Sequence, residues 1–242
     1  MTVARVLRLL QPLLFCYACT VQEQKPNYHK QLETLIKSLA GAPQKPRLLL
    51  HACCGPCSSA VIEYLATVFR ITIFYYNPNI YPQAEYNRRL AELKKFVAEF
   101  PPAVQTAVSV VQTEYTPQDF FCATNACNEL ELQTEPERGE RCRRCYAFRM
   151  KKAWDFANQN GFDFFTTTLS ISPYKDAQKI NAIGMNFAPT DCTRYVPADF
   201  KKRGGFLRSL QLSAEYGLYR QDYCGCIYSY KTAHPDEGTK SI

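Results

Sequence analysis

The segment between residues 46 and 112 alternates short apolar runs with helix-like stretches, and this alternation restricts the fold more than any other feature. Apolar runs at residues 46–52, 71–76 and 107–112 predict strands, and amphipathic stretches at 58–69 and 85–100 predict helices. Strands that alternate with helices across short connections form a parallel sheet that helices cover on both faces. We therefore expect a three-layer α/β domain whose ligand lies at the carboxyl ends of the strands.

The rest of the chain predicts a single domain with a cysteine-bearing insertion and a helical C-terminal part. A helix over 29–40 precedes the first strand, and Ser58 or Ser59 is expected to cap the helix that follows that strand. Residues 114–140 are polar and irregular, which indicates an inserted loop or lid. The other predicted elements are helices at 141–158, 176–184 (closed by Gly184) and 206–216, and a strand at 162–168.

Seven of the 12 cysteines stand in three clusters: Cys53-Cys54-Gly-Pro-Cys57, Cys142-Arg-Arg-Cys145 and Cys224-Gly-Cys226. A chain of 242 residues, 46% of them hydrophobic, can build a core without disulfide crosslinks. Thiols grouped in this way therefore indicate metal binding or redox chemistry rather than a secreted disulfide framework. No role is predicted for the remaining cysteines, which are Cys16, Cys19, Cys122, Cys127 and Cys192.

Spacing alone leaves two kinds of metal site open. Cys53 and Cys54 are adjacent and cannot easily close a disulfide, whereas Cys142 and Cys145 have the two-residue spacing common in zinc and iron–sulfur sites. These two pairs supply four thiolates, enough for one iron–sulfur cluster. A structural zinc site would instead pair Cys54 and Cys57 with the later two cysteines. The mouth of a parallel sheet favours the iron–sulfur interpretation, because a structural zinc site needs no such position.

Reactive thiols are predicted in the other two clusters as well. Cys142 and Cys145 start a helix whose positive end, together with Arg141, Arg143 and Arg144, is expected to favour the thiolate form. The Cys224-Gly-Cys226 segment would form a strained, easily reduced disulfide, as a redox carrier requires. Two ordinary buried thiols are the alternative there. Similarly, His51 is interpreted either as a buried core histidine or as a proton donor.

A net charge of +7 is a moderate basic bias that is compatible with a polyanionic partner. Basic residues are concentrated at 141–152 and at 201–208, and we interpret both stretches as contacts for a nucleic-acid backbone. Residues 3–19 imitate a signal peptide only loosely, and their apolar run is too short to span a membrane. We expect a cytoplasmic protein without a membrane anchor. The candidates for phosphate contact are Lys151, Lys152, Lys201, Lys202 and Arg203.

Four motifs, LLLHACCGPCSS, ERCRRCYAFRM, TTTLSISPYKDAQKI and ADFKKRGGFLRSLQLSAEYGLYRQDYCGCIYS, together resemble the cysteine-rich epoxyqueuosine reductase family QueH. The resemblance covers residues 27–231 as a single catalytic α/β domain, with an N-terminal extension at 1–26 and a tail at 232–242. It implies reduction of the epoxide of epoxyqueuosine at the tRNA wobble position, the last step of queuosine biosynthesis. It also implies a HUP-type, Rossmann-like fold in which CCGPC replaces the phosphate-binding loop, so ATP is not expected.

The resemblance further implies a role for each clustered cysteine. Cys57 stands where some family members carry aspartate next to a second metal. It is expected to act in catalysis by holding an extra divalent ion, iron, beside the cluster. The implied ligands of a [4Fe-4S] cluster are Cys53, Cys54, Cys142 and Cys145, and the implied catalytic, redox-active pair is Cys224 and Cys226.

The implied partners are tRNA carrying epoxyqueuosine and an external electron donor. Protons are expected from His51, Asp222, Tyr223 or water, and Lys175 and Asp176 are candidate pocket residues. Two other classes stay open at this point. One is a zinc-stabilised tRNA-binding or tRNA-modifying protein without redox chemistry. The other is a thiol-disulfide oxidoreductase without metal, which the cysteine preceding the Cys-Gly-Pro-Cys sequence disfavours.

Overall fold

The computed structural model describes residues 26–187 and 193–235. The expectations for the N-terminal extension up to residue 25, including Cys16 and Cys19, lie outside the described residues. The same holds for Cys192 and for the tail from residue 236 onwards.

A parallel sheet of five strands forms the centre of the described structure, with the order β3-β2-β1-β4-β5. All four strands predicted from the sequence are present, which confirms the α/β fold class. The fifth strand contains two residues in a stretch predicted to be loop, too short to show an apolar pattern. The strands are β1 (Arg47–His51), β2 (Arg70–Tyr75), β3 (Ser109–Gln112), β4 (Phe164–Thr167) and β5 (Arg194–Tyr195).

Helices cover both faces of this sheet. The described helices are α1 (Tyr28–Leu39), α2 (Gly55–Leu65), α3 (Gln83–Glu99), α4 (Pro101–Gln105), α5 (Pro117–Thr124), α6 (Leu130–Thr134), α7 (Glu140–Gln159), α8 (Ala177–Met185), α9 (Gly205–Glu215) and α10 (Ile227–Ala233). Short 3-10 helices span Thr168–Ile171 and Lys202–Gly204.

The two hydrophobic layers follow from the alternation of side chains along a strand. Leu48 and Leu50 of β1 point into one layer, where they pack with residues of α2, α3 and α9. Leu49 points to the opposite face and packs with α7 and α8, including Trp154 and Ile180. All three leucines are fully buried, so each face of β1 is covered, as expected for the central strand of a parallel sheet.

Three local predictions are wrong. Residues 114–140 are not irregular, because α5 and α6 form there and α5 packs on α7. Neither Ser58 nor Ser59 caps α2, since both lie inside a helix that begins earlier, with Cys54 as its N-cap. Gly184 does not close α8 but lies within it, against the ring of Tyr195, and an added Cβ would collide with that ring.

Candidate active site and metal centre

The first cysteine cluster lies where the fold places ligands. β1 is hydrogen-bonded to β2 on one side and to β4 on the other, so the strand order reverses at β1. A crevice opens outside the carboxyl ends of the strands at such a point. Cys53 and Cys54 follow β1 directly, and the Sγ atom of Cys54 accepts a hydrogen bond from the backbone N–H of Cys57 at 3.4 Å. The cluster is thus fixed by the start of α2.

Cys53, Cys54 and Cys57 form a compact triad of sulfur atoms. Their three Sγ atoms all lie within 4.8 Å of one another, and those of Cys53 and Cys54 are 3.9 Å apart. A tetrahedral ion with metal–sulfur bonds of about 2.3 Å holds its thiolates roughly 3.8 Å apart. The triad can therefore hold a metal ion with little rearrangement. Soft thiolate donors suit zinc, iron and iron–sulfur centres.

The second cluster is brought to the same crevice by α7. Cys142 and Cys145 lie in its first turns and are both buried. Arg149, one turn further on, places its Nη1 atom 3.9 Å from the Sγ atom of Cys145. The Nη2 atom of the same guanidinium is 3.4 Å from Nε2 of His51, two residues before Cys53. One buried side chain therefore contacts both the end of β1 and the cysteines of α7.

The third cluster is also close to the second. Cys226 caps α10, accepts a hydrogen bond from the backbone N–H of Ser229 at 3.5 Å, and packs with Cys145 and Phe120 in a small apolar cluster. The loop before it is held from α3, because Arg89 donates to the carbonyl oxygens of Tyr223 and Cys224.

A cavity of about 230 Å³ opens beside these sulfurs. Cys57 and Cys224, from the first and third clusters, both line it, and so does Lys175. Gln221 also lines the cavity, and its Nε2 atom donates to the Sγ atom of Cys54 at 3.3 Å. Small reactants that enter this cavity would meet thiols from two different parts of the chain.

The thiols differ in their readiness to lose a proton. The pKa of Cys53 is lowered well below its ordinary value, because hydrogen bonding with the thiols of Cys54 and Cys57 favours its thiolate form, and nearby Lys175 adds to the effect. The same hydrogen bond with Cys53 raises the pKa of Cys54 to about 12. Cys53 is thus the sulfur of the triad that carries negative charge most readily.

Burial acts in the opposite direction on the pKa of three other cysteines. It raises the pKa of Cys142, and it raises the pKa of Cys145 to about 11 and that of Cys224 to about 12. The prediction that arginines keep the cysteines at the start of α7 in the thiolate form is therefore wrong. Arg143 and Arg144 pair with carboxylates instead, both with that of Glu140. Binding of a metal by these thiols would have to release their protons.

Of the proton-donor candidates, His51 is the least suitable. Burial and the charge of Arg149 lower its pKa to about 3, and its Nδ1 atom is hydrogen-bonded to Thr167 at 2.8 Å. The hydroxyl of Tyr223 donates to the carbonyl oxygen of Tyr81. Asp222 lines the cavity but is also paired with His234 at 3.3 Å.

The two pocket candidates have different positions. Lys175 is buried in the cavity wall; although burial lowers its pKa, the charges of Cys224 and Cys53 raise it well above the ordinary value. Lys175 is therefore a fixed cation beside the sulfurs. Asp176 instead caps α8 by accepting hydrogen bonds from the backbone N–H groups of Gln178 and Lys179, which is a structural role.

Many of the basic side chains in the two stretches already have partners. Arg149 is buried at the site, Lys151 pairs with Asp155, Lys201 pairs with Asp199, and Arg203 pairs with Glu33. Lys152 lies over the ring of Phe148 at 5.8 Å. These cations are less available for phosphate contact than their number in the sequence indicates.

Within the described residues, every helix is too short or too polar to cross a membrane.

Sequence reasoning missed the supporting residues of the site. Arg89 stands in a helix whose sequence is highly charged, and nothing in that pattern marks it as buried. Gln221 likewise has no signal in its neighbours. Both become recognisable only when α3 and the C-terminal loop pack beside the cysteines.

A parallel α/β fold with buried thiols converging beside a cavity at its carboxyl edge defines a class of metal- or redox-dependent enzyme. A model of the family described as "Epoxyqueuosine reductase QueH" matches residues 48–232 of the chain. The chain belongs to this family.

Individual relatives agree with the family match. A protein of Streptococcus pyogenes named epoxyqueuosine reductase QueH is 38% identical over 208 residues, which are 86% of this chain and 80% of the relative. A relative of the same name from Staphylococcus epidermidis is 36% identical over 209 residues, 86% of this chain and 87% of the relative. One from Haemophilus influenzae is 37% identical over 190 residues, 78% and 73% of the two chains.

Proposed function

We propose that this protein reduces epoxyqueuosine to queuosine at the wobble position of tRNA. The observation that carries the proposal is that the first and third cysteine clusters line one cavity while Cys145 of the second cluster packs with Cys226, in a chain that belongs to the epoxyqueuosine reductase QueH family. The catalytic unit is residues 27–231, and the tRNA substrate assigns the reaction to the cytoplasm.

The electron balance explains why two kinds of sulfur site are useful. Conversion of an epoxide to an alkene breaks both C–O bonds, consumes two electrons and two protons, and releases the oxygen as water. Oxidation of Cys224 and Cys226 to a disulfide supplies two electrons and two protons. An external electron donor then reduces the disulfide for the next turnover. The strained ring formed by cysteines one residue apart favours that reduction.

The described residues fit a metal centre at the crevice. Cys53, Cys54, Cys142 and Cys145 are the proposed ligands of a [4Fe-4S] cluster, which supplies single-electron transfer when bound. All four are buried, and Arg149 contacts both Cys145 and His51, which stands two residues before Cys53. The positive charges of Arg149 and Lys175 compensate the negative charge that thiolates bring into the interior.

Cys57 is proposed to hold a second divalent ion, iron, beside the cluster. Two features support this assignment: its sulfur belongs to the compact triad, and its side chain lines the cavity. The zinc alternative draws on the same triad. The proportions of iron, sulfide and zinc in anaerobically purified protein decide between the two, with about four irons expected per cluster.

The test of the function is direct. Anaerobically purified protein is incubated with tRNA that carries epoxyqueuosine and with a chemical reductant. The tRNA is then digested, and its nucleosides are separated and identified by mass spectrometry. We expect queuosine to replace epoxyqueuosine. Without the reductant, we expect conversion to stop once one equivalent of tRNA per protein has been consumed. Persistence of the epoxide with fully metal-loaded protein would refute the proposal.

A further inference from the structure

An aromatic ring at the opening of the active-site cavity has no partner within the described part of the chain. Tyr174 is 70% exposed, and of the large apolar side chains exposed in residues 26–187 and 193–235 it alone lines the cavity. Scattered exposed apolar residues are normal on a protein surface, so exposure by itself indicates nothing. The position beside Cys57 and Cys224 is what distinguishes this ring.

The backbone that carries the ring is fixed. The N–H group of Tyr174 donates to the Ser172 hydroxyl at 3.3 Å, and the carbonyl oxygen of Tyr174 accepts from Nε of Arg138 at 3.2 Å. Arg138 also donates to the carbonyl oxygen of Pro173, and its own carbonyl oxygen accepts from Lys179. The insertion therefore holds this segment through Arg138, which α8 in turn holds through Lys179, and the ring is presented at a defined place.

Consecutive residues of this segment face two environments. Lys175 is buried and interacts electrostatically with the sulfurs of Cys53 and Cys224, while the preceding ring projects toward solvent at the cavity opening. A reactant deep enough to reach Lys175 and the thiols would thus pass the ring of Tyr174. Whatever is attached to that reactant would remain outside, next to the ring.

A tRNA substrate gives the ring a partner. The modified base must leave its stack to reach a recessed centre, and this exposes the face of the neighbouring base in the loop. Aromatic side chains stack on such unpaired bases without requiring a particular base. We propose that Tyr174 stacks on the nucleobase adjacent to the substrate base and so holds the opened anticodon loop at the cavity. This inference rests on the proposed function and identifies how that site recognises its substrate.

The test compares substitutions that keep or remove the aromatic face. Tyr174→Phe keeps the ring and is expected to bind tRNA as the unsubstituted protein does, whereas Tyr174→Leu and Tyr174→Ala lack it. One stacked base contributes enough that both are expected to raise Kd and KM for tRNA by roughly 5- to 100-fold. Turnover at saturating tRNA is expected to change less than about twofold, because the interaction holds the ground state and the transition state alike.

Two controls separate stacking from other roles. Val104→Ala removes an exposed apolar side chain from α4, away from the cavity lining, and is expected to leave tRNA affinity unchanged. Stacking neutralises no phosphate, so the slope of log affinity against log salt concentration is expected to be equal for Tyr174→Ala and the unsubstituted protein.

The outcomes that overturn the inference are distinct from failure of the proposed function. If the unsubstituted protein converts epoxyqueuosine but Tyr174→Ala binds and turns over tRNA normally, the ring does not stack on the substrate. Loss of kcat with unchanged KM also overturns it, since Tyr174 would then act in the chemical step. Loss of affinity in Tyr174→Phe overturns it as well, since the hydroxyl rather than the ring would then bind tRNA. Absence of conversion by the unsubstituted protein would instead refute the function. In that case, the affinity for the anticodon stem-loop still measures the contribution of Tyr174 to binding.

Discussion

Arg89 is the buried link between α3 and the loop that carries Cys224 and Cys226, and its replacement by methionine is expected to destabilise the protein strongly. The side chain is 1% exposed. Its Nε atom pairs with Oε1 of Glu85 at 2.7 Å, and its Nη atoms donate to the carbonyl oxygens of Tyr223 and Cys224. Methionine fills a similar volume but leaves a buried carboxylate and two carbonyl groups without this partner.

The expected magnitude follows from the loss of one member of a buried ion pair, which costs about 3–5 kcal/mol. The Tyr219 hydroxyl remains 3.3 Å from both carboxylate oxygens of Glu85, so we expect the lower end of that range. For a chain of this size, ~3 kcal/mol corresponds to a fall of about 6–12 °C in Tm. Urea and thermal unfolding, followed by circular dichroism at equal metal content, measure both quantities.

Two variants test the reasoning rather than the number alone. Lys95→Met changes an exposed basic residue on the same helix and is expected to alter stability by less than about 0.5 kcal/mol. Adding Glu85→Gln to Arg89→Met removes the stranded charge, and we expect it to recover at least ~1 kcal/mol of the loss. If Arg89→Met costs less than ~1 kcal/mol, or if the double variant is no more stable than the single one, the buried pair does not hold this loop.

Four further predictions concern the site and its surroundings. Cys226→Ser should retain its metal and its visible absorbance yet lose turnover, and undiminished multiple-turnover activity would reject the carrier role. Cys142→Ala should lose the visible absorbance of the reconstituted cluster, whereas the matched change at exposed Cys122 should keep it; equal iron in both would contradict the ligand set. Raising salt from 50 to 200 mM should weaken tRNA binding by roughly tenfold or more, and an affinity that does not change with salt would rule out phosphate contacts. Gly184→Ala should lower stability by about 1–3 kcal/mol because the added Cβ meets the Tyr195 ring, and unchanged Tm would show that the ring moves aside.

The sequence by itself determined the fold class and the chemistry of the main side chains. Apolar runs of strand length that alternate with helical periodicity specify a parallel sheet, because local patterning and connection length leave few other arrangements. Placing Cys53 and Cys54 directly after β1 also follows from the chain alone, since the ligand crevice lies at the carboxyl ends of parallel strands. Cysteine spacing indicated metal or redox chemistry for the same local reason.

Tertiary structure decided what each side chain experiences. Arg141, Arg143, Arg144 and Arg149 have similar surroundings in the sequence, yet Arg149 lies buried between His51 and Cys145 while Arg143 pairs with Glu140 at the surface. Burial and charge pairing depend on residues distant in the chain, so local pattern could not predict that the thiols of α7 have raised pKa values. The same holds for Arg89 and Tyr174, whose positions at the loop of Cys224 and at the cavity opening arise only when separate segments pack together.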